Sequence, residues 1–189
     1  MYFHQRNIRL VGRNRRKFEN MGGNIRENTM DTKTIIVTLV TDRTQADVER
    51  AKGFAAMTAA EQAEWLTGMK GAYNAADLNR VGIALNYLAA RLSSICGRSI
   101  AWTAKTDWAV TDIITASQAE AYRKQVQSIR DALAYPAGTP DAPQLGRLTY
   151  TDANDIERIL ALCEDLIVNV AKSFRHTGAA ECAAGGLLT

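Results

Sequence analysis

The chain has 189 residues, with 47% apolar and 23% charged side chains, the balance of a globular domain with one core of its own. No apolar run approaches the roughly 20 residues that a membrane-spanning helix needs, so no membrane partner is expected. Cys96, Cys163 and Cys182 are widely separated and form no C-x-x-C pair, which points to reduced thiols rather than a disulfide framework or a zinc site.

The net charge of +3 hides an asymmetry. Residues 1–29 hold seven Lys or Arg against two acids, and the rest of the chain holds 16 basic against 18 acidic residues. Clustered arginines neutralise phosphates, so a nucleic-acid-binding or packaging accessory protein is the alternative function. The preferred expectation is that residues 1–33 are a basic leader, disordered or not natively translated, with Met30 as the true start. No apolar signal region follows the basic start, so cytoplasmic synthesis is expected.

In chain order, TIIVTLVT (34–41) is short and rich in β-branched residues, which predicts a strand. TQADVERAKGFAAM (44–57) predicts a helix with Val48, Ala51 and Ala55 on one face. Thr58 and Glu61 have capping-box spacing before a second short helix that carries Trp65, Leu66 and Met69 and stops at Gly71. Leu78, Val81, Leu85, Leu88, Leu92 and Ile95 then follow in steps of three and four, a spacing that only an α-helix lines up on one face.

The polar group Asn74, Asp77, Asn79 and Arg80 at the front of that helix has the residue types of an active site. It reads instead as a start signal: Asn74 caps the first turn, Asp77 meets the positive end of the dipole, and Asn79 and Arg80 face water or a neighbour. The helix ends near Gly97. RSIAWTAKTDW (98–108) is strand-like and can pair with 34–41 as a small two-stranded β ribbon. Ser117 and Glu120 have capping-box spacing before a helix through Tyr122, Val126, Ile129 and Leu133, which Pro136 terminates. All three prolines fall in PAGTPDAP (136–143), so 136–148 reads as an internal Pro-rich linker. Thr151 opens the last long helix, with Ile156, Ile159, Leu160, Cys163, Leu166, Ile167 and Val170 on its apolar side. The expected fold is mainly α, a bundle of three long and two shorter helices over residues 34–177, with 178–189 as a flexible tail.

Candidate chemistry is sparse. His4 lies in the leader, and His176 sits at a helix end beside Arg175 as a dipole partner. No nucleophile elbow, phosphate-cradling loop, dinucleotide fingerprint or H-E-x-x-H motif occurs. The acid pairs Asp152/Asp155 and Glu164/Asp165 suit a helix's opening turn and a polar face. No catalytic, cofactor-binding or metal-binding residue is expected.

The segments TDRTQADVERAK, AEWLTGMKGAYNAADLNRVGIALNYLAARL, KTDWAVTDI and LTYTDANDIERIL together resemble a family of small phage and prophage proteins from gut Gram-positive bacteria. The resemblance covers about residues 41–175, and YNAADLNRV and DANDIERIL are its distinctive wording. It implies a non-enzymatic virion structural or adaptor protein near tail, baseplate or fibre components, located in the virion. Its implied partners are other virion proteins and further copies of itself, with nucleic acid not expected. The basic leader and the ending FRHTGAAECAAGGLL depart from the family pattern, whose members end in an aromatic-rich tail.

Ile35, Val37 and Leu39 on the expected strand, with Trp102 and Trp108 in the connector, are the candidate partner-contact residues. Large aromatics anchor interfaces, and a lone strand can add to a neighbour's sheet edge. Leu85→Asp is expected to unfold the domain, whereas Asn79→Ala is expected to leave the melting temperature almost unchanged; thermal unfolding followed by circular dichroism compares the two.

Overall fold

The computed structural model describes residues 34–185, with side chains through Phe174. The leader with Met30 and His4 lies outside the described residues, and the side chain of His176 is likewise not described. The element order is α1 (Thr34–Val37), α2 (Gln45–Ala51), a 3-10 turn (Phe54–Ala56), α3 (Ala59–Gly68), α4 (Ala75–Cys96), α5 (Ala116–Ala132), a second 3-10 turn (Leu145–Arg147) and α6 (Tyr150–Gly185). The fold is a helical bundle, mainly α, in which the three long helices α4, α5 and α6 pack on one another. The shorter helices α1 and α3 rest against this trio.

The core is the set of apolar stripes. Val81, Leu85, Leu88 and Leu92 of α4 meet Val126 and Ile129 of α5 and Ile159, Leu160, Cys163 and Ile167 of α6, and all are fully buried. Each such side chain contributes roughly 1.5–3 kcal/mol on leaving water. Asn74 caps α4 as expected: its side chain accepts from the Ala76 N–H at 2.9 Å, and Asp77 accepts from the Asn74 N–H at 3.0 Å. Gly97 closes the helix in the left-handed region at φ 64°, and the Arg98 N–H reaches back to the Leu92 carbonyl at 3.0 Å, a turn that favours glycine.

Several boundaries differ from expectation. The 44–57 helix stops at Ala51, because Gly53 adopts φ 78° and turns the chain into the 3-10 segment. The caps of α5 and α6 lie two residues upstream of Ser117 and Thr151, at the pairs Thr115/Gln118 and Thr149/Asp152. These pairs have the same i, i+3 geometry and start each helix earlier. The last helix runs past residue 177 to Gly185. The stretch GAAECAAG is alanine-rich, and alanine's helix propensity sustains a helix without an apolar stripe.

The β ribbon does not form: among the described residues there is no strand. Residues 34–37 are instead one turn of helix, with Ile35 in the core. The 39–44 and 98–109 segments are extended or turn-like, as their composition suggests, but they pair with helix side chains rather than with each other. Asn86 accepts the Ala104 N–H at 2.7 Å and donates to the Ala104 carbonyl at 3.0 Å. Seven residues earlier on α4, Asn79 does the same for Trp108, at 2.7 and 2.9 Å. Asn154 of α6 holds Arg43 by both backbone groups, at 2.9 Å each. A side-chain amide presents one donor and one acceptor in a plane, which is what one rung of a ladder offers.

Gly82 lies between the two α4 asparagines, where the strap touches the helix: a Cβ there would stand 2.3 Å from the Lys105 carbonyl oxygen. The Pro-rich linker is tied down too, with the Ala142 N–H donating to Gln127 at 2.8 Å and Arg130 donating to the Thr139 carbonyl at 3.2 Å.

Asn79 therefore faces a neighbour and acts as a clamp, which overturns the expectation that Asn79→Ala leaves the melting temperature almost unchanged. Asn79→Ala and Asn86→Ala should each cost roughly 2–4 kcal/mol, since each strips a partner from one backbone donor and one acceptor. Gly82→Ala should destabilise as well. Urea denaturation measures all three, and a loss under about 0.5 kcal/mol in both asparagine variants would show that the strap does not depend on the clamps.

Candidate functional site

The most concentrated group of charged side chains joins the 39–44 segment, α4 and α6. Arg43 Nη2 lies 2.8 Å from Asp77 Oδ1 and 2.6 Å from Glu157 Oε1. Arg80 donates to Glu157 through Nε at 3.1 Å and Nη2 at 2.8 Å, and also pairs with Asp77. Glu157 Oε2 takes a further hydrogen bond from the Val40 N–H at 2.6 Å, and Arg43 Nη1 donates to the Val40 carbonyl at 2.6 Å. Arg43, Asp77 and Glu157 are buried, Glu157 completely.

The periodicity of α4 and α6 places Asp77, Arg80 and Glu157 on facing sides of the two helices, and the Asn154 clamp sets Arg43 between them. Two cations face two carboxylates, so the buried group is neutral. Burial alone would depress Arg80, but hydrogen bonds and charge from Glu157 and Asp77 outweigh it and raise its pKa. Every carboxylate oxygen in the group accepts at least one hydrogen bond. A general acid or base needs a carboxylate with capacity directed at a substrate; this geometry directs that capacity inward and joins three segments of chain.

Beside the group, the Arg43 guanidinium sits over the Tyr73 ring, 5.5 Å from its centroid, and the Tyr73 and Tyr122 hydroxyls meet at 2.6 Å. Burial raises both phenols, with the nearby Glu157 and Asp77 charges acting in the same direction. Above them opens a cleft of about 700 Å³, lined by α2, the Gly71–Tyr73 turn, the start of α4 and residues 145–153.

The remaining expected features separate into caps and pairs. Asp152 caps α6 through Thr149, Asp155 lies 3.5 Å from Arg158, and Glu164 lies 2.9 Å from Arg91. Among the described residues, no group of three or more His, Cys, Asp or Glu is arranged to hold a metal ion. The Cys163 thiol is pushed up to about 11, chiefly by burial.

The candidate contact residues divide unevenly. Ile35 is in the core, Trp108 is buried, and Leu39 and Trp102 pack against the core, with the Trp102 indole donating to Ser128 at 3.3 Å. A partner meeting the folded surface reaches Val37, which is 83% exposed. Trp65 stacks edge-on with Phe54, ring centres 5.3 Å apart. Arg43 was not singled out from sequence, and nothing local marks it, since its partners lie 34 and 114 residues away.

No protein-family model, curated protein or solved structure matches this chain.

Removing one member of a buried ion group leaves its partners charged and unpaired, which costs roughly 3–5 kcal/mol. Arg43→Met and Glu157→Gln should each lower stability on that scale in urea titrations, and a loss below about 1 kcal/mol would show the group to be incidental. In the native protein at pH 8, iodoacetamide should leave Cys163 unmodified and label it only on unfolding, because the thiolate is the reactive form. The sign follows from the raised pKa: stability from the protonated thiol is present at neutral pH and is lost as pH rises from its ordinary value of 9.0 through about 11.

Proposed function

We propose that this chain is a non-enzymatic structural or adaptor protein of a phage or prophage particle, in the tail or baseplate/fibre region, acting through protein–protein contacts. The particle assignment rests on the resemblance over residues 41–175. The contact mode is supported by the turn that follows Trp108. There the Ala109 N–H donates to Asp112 Oδ2 and the Asp112 N–H to the Ala109 carbonyl, each at 3.0 Å. This braced turn presents Val110 at 55% exposure, and Ile113, the residue that follows the turn, is 89% exposed. Single exposed apolar residues are ordinary; two at one braced turn, anchored by the Asn79 clamp, make an apolar projection that binds with little ordering cost.

Addition of residues 34–41 to a neighbour's sheet is not part of this proposal, because α1 occupies half of that segment and the Val40 N–H is already taken by Glu157. The charged group is internally neutralised, which suits a rigid body whose role is to hold position.

The test is incorporation. The Val110→Asp/Ile113→Asp variant should keep the wild-type melting temperature to within about 2 °C, as exposed substitutions do, yet be lost from purified particles in which mass spectrometry finds the wild-type chain. Absence of the wild-type chain from purified particles would refute the virion assignment, and normal incorporation of the variant would refute the turn as the contact.

A further inference from the structure

The cleft of about 700 Å³ beside the charged group is not explained by a role in assembly. Its walls are largely apolar, formed by Tyr73, Leu78, Leu148 and Tyr150 among others. Its size is that of small-molecule sites, which run roughly 300–1,000 Å³ with apolar walls and a few polar groups. The charge of the lining has one sign: Arg43 and Arg147 line it, and no Asp or Glu does.

The two arginines are not equivalent. Arg43 is buried and its charge is balanced by Asp77 and Glu157, although its Nε–H is buried without an acceptor. Arg147 is exposed at the cleft, and its guanidinium has no ion pair or hydrogen bond to any described residue. The first turn of α6, with Thr149, Tyr150 and Ala153, forms part of the same wall. A helix start adds partial positive charge, here partly offset by the capping Asp152. The uncompensated field in the cleft is therefore positive and centred on Arg147.

We propose that this cleft binds a small amphipathic organic acid, with its apolar body against Tyr73, Leu78, Leu148 and Tyr150 and its acidic group at Arg147. A small molecule fits better than a peptide strand. Among the described residues there is no strand edge to supply main-chain pairing, the means by which extended peptides gain affinity.

Gly146 supplies a blocking variant. It lines the cleft, has no positive φ, and a Cβ built on it meets nothing within 4 Å. Gly146→Trp therefore adds an indole at a residue that lines the cleft, without backbone strain. The probes are two dyes that share one ring body, anionic 8-anilinonaphthalene-1-sulfonate and uncharged N-phenyl-1-naphthylamine, each titrated by fluorescence into the full-length chain at low ionic strength.

The expected result is one anionic dye per chain, bound at least about tenfold more tightly than the neutral dye, with the preference shrinking as salt is added. Arg147→Glu should abolish the preference while leaving neutral-dye affinity within about twofold, since an exposed arginine gives the anion its advantage and little else. Gly146→Trp should abolish binding of both dyes with an unchanged melting temperature. Equal affinity of the wild type for the two dyes, no binding of either, or wild-type anion binding in either variant would overturn the proposal. The dye titration needs no particle, so its failure and a failure of incorporation are separate results.

Discussion

Glu157 is buried where the first turns of α4 and α6 meet and accepts from two arginines and one backbone N–H, and the rest of the architecture follows from satisfying it. An isolated carboxylate in such a place would be strongly disfavoured. Arg43 and Arg80 must both be present, and their remaining donors then require Asp77 and the Val40 carbonyl. One buried charge thus draws the 39–44 segment, the first turn of α4 and the first turns of α6 to a common point. Apolar stripes alone allow helices to slide and rotate with modest loss. A network of fixed donors and acceptors does not, so it selects one register among those the stripes permit.

The same logic runs through the extended segments. A chain laid across a helix has backbone groups that the helix's own backbone cannot satisfy. Asn79, Asn86 and Asn154 supply the missing partners, each with one donor and one acceptor, and Gly82 lets the strap approach α4 closely. Held in this way, the connector after α4 becomes a fixed platform for the Val110–Ile113 turn. The linker that leads to α6, tied to Gln127 and Arg130, carries the wall of the cleft. Both proposed contact regions therefore lie on loops that helices hold rigid, the usual division between scaffold and function.

The sequence made the helical part of this fold legible. The three- and four-residue steps of Leu78 to Ile95, the stripe from Ile156 to Ile167 and the Asn74/Asp77 start are local patterns that the bundle carries, whereas Leu166 and Val170 stay half-buried outside the core. Boundaries were less legible, because Thr115/Gln118 and Ser117/Glu120 satisfy the same spacing rule and only packing chooses between them. The candidate site was hardly legible. Arg80 and Asp77 looked like parts of one helix start, and their shared partners Arg43 and Glu157 are distant in sequence. Asparagine at positions 79, 86 and 154 has the same local signature whether it faces water or holds a strap.

What the sequence determined by itself is the number and kind of long helices, the faces they bury and, for α4, the residue that starts it. These depend on periodicity and on groups within four residues of each other, and such interactions are written along the chain. What only the tertiary structure decided is the partner of each leftover polar group: that β-branched and aromatic segments lie along helices instead of pairing, that Arg43 is shared by two acids, and that residues 145–153 frame a cleft with Tyr73. A hydrogen bond needs a partner within about 3 Å, and no one-dimensional pattern states which residues, a hundred positions apart, will be brought that close.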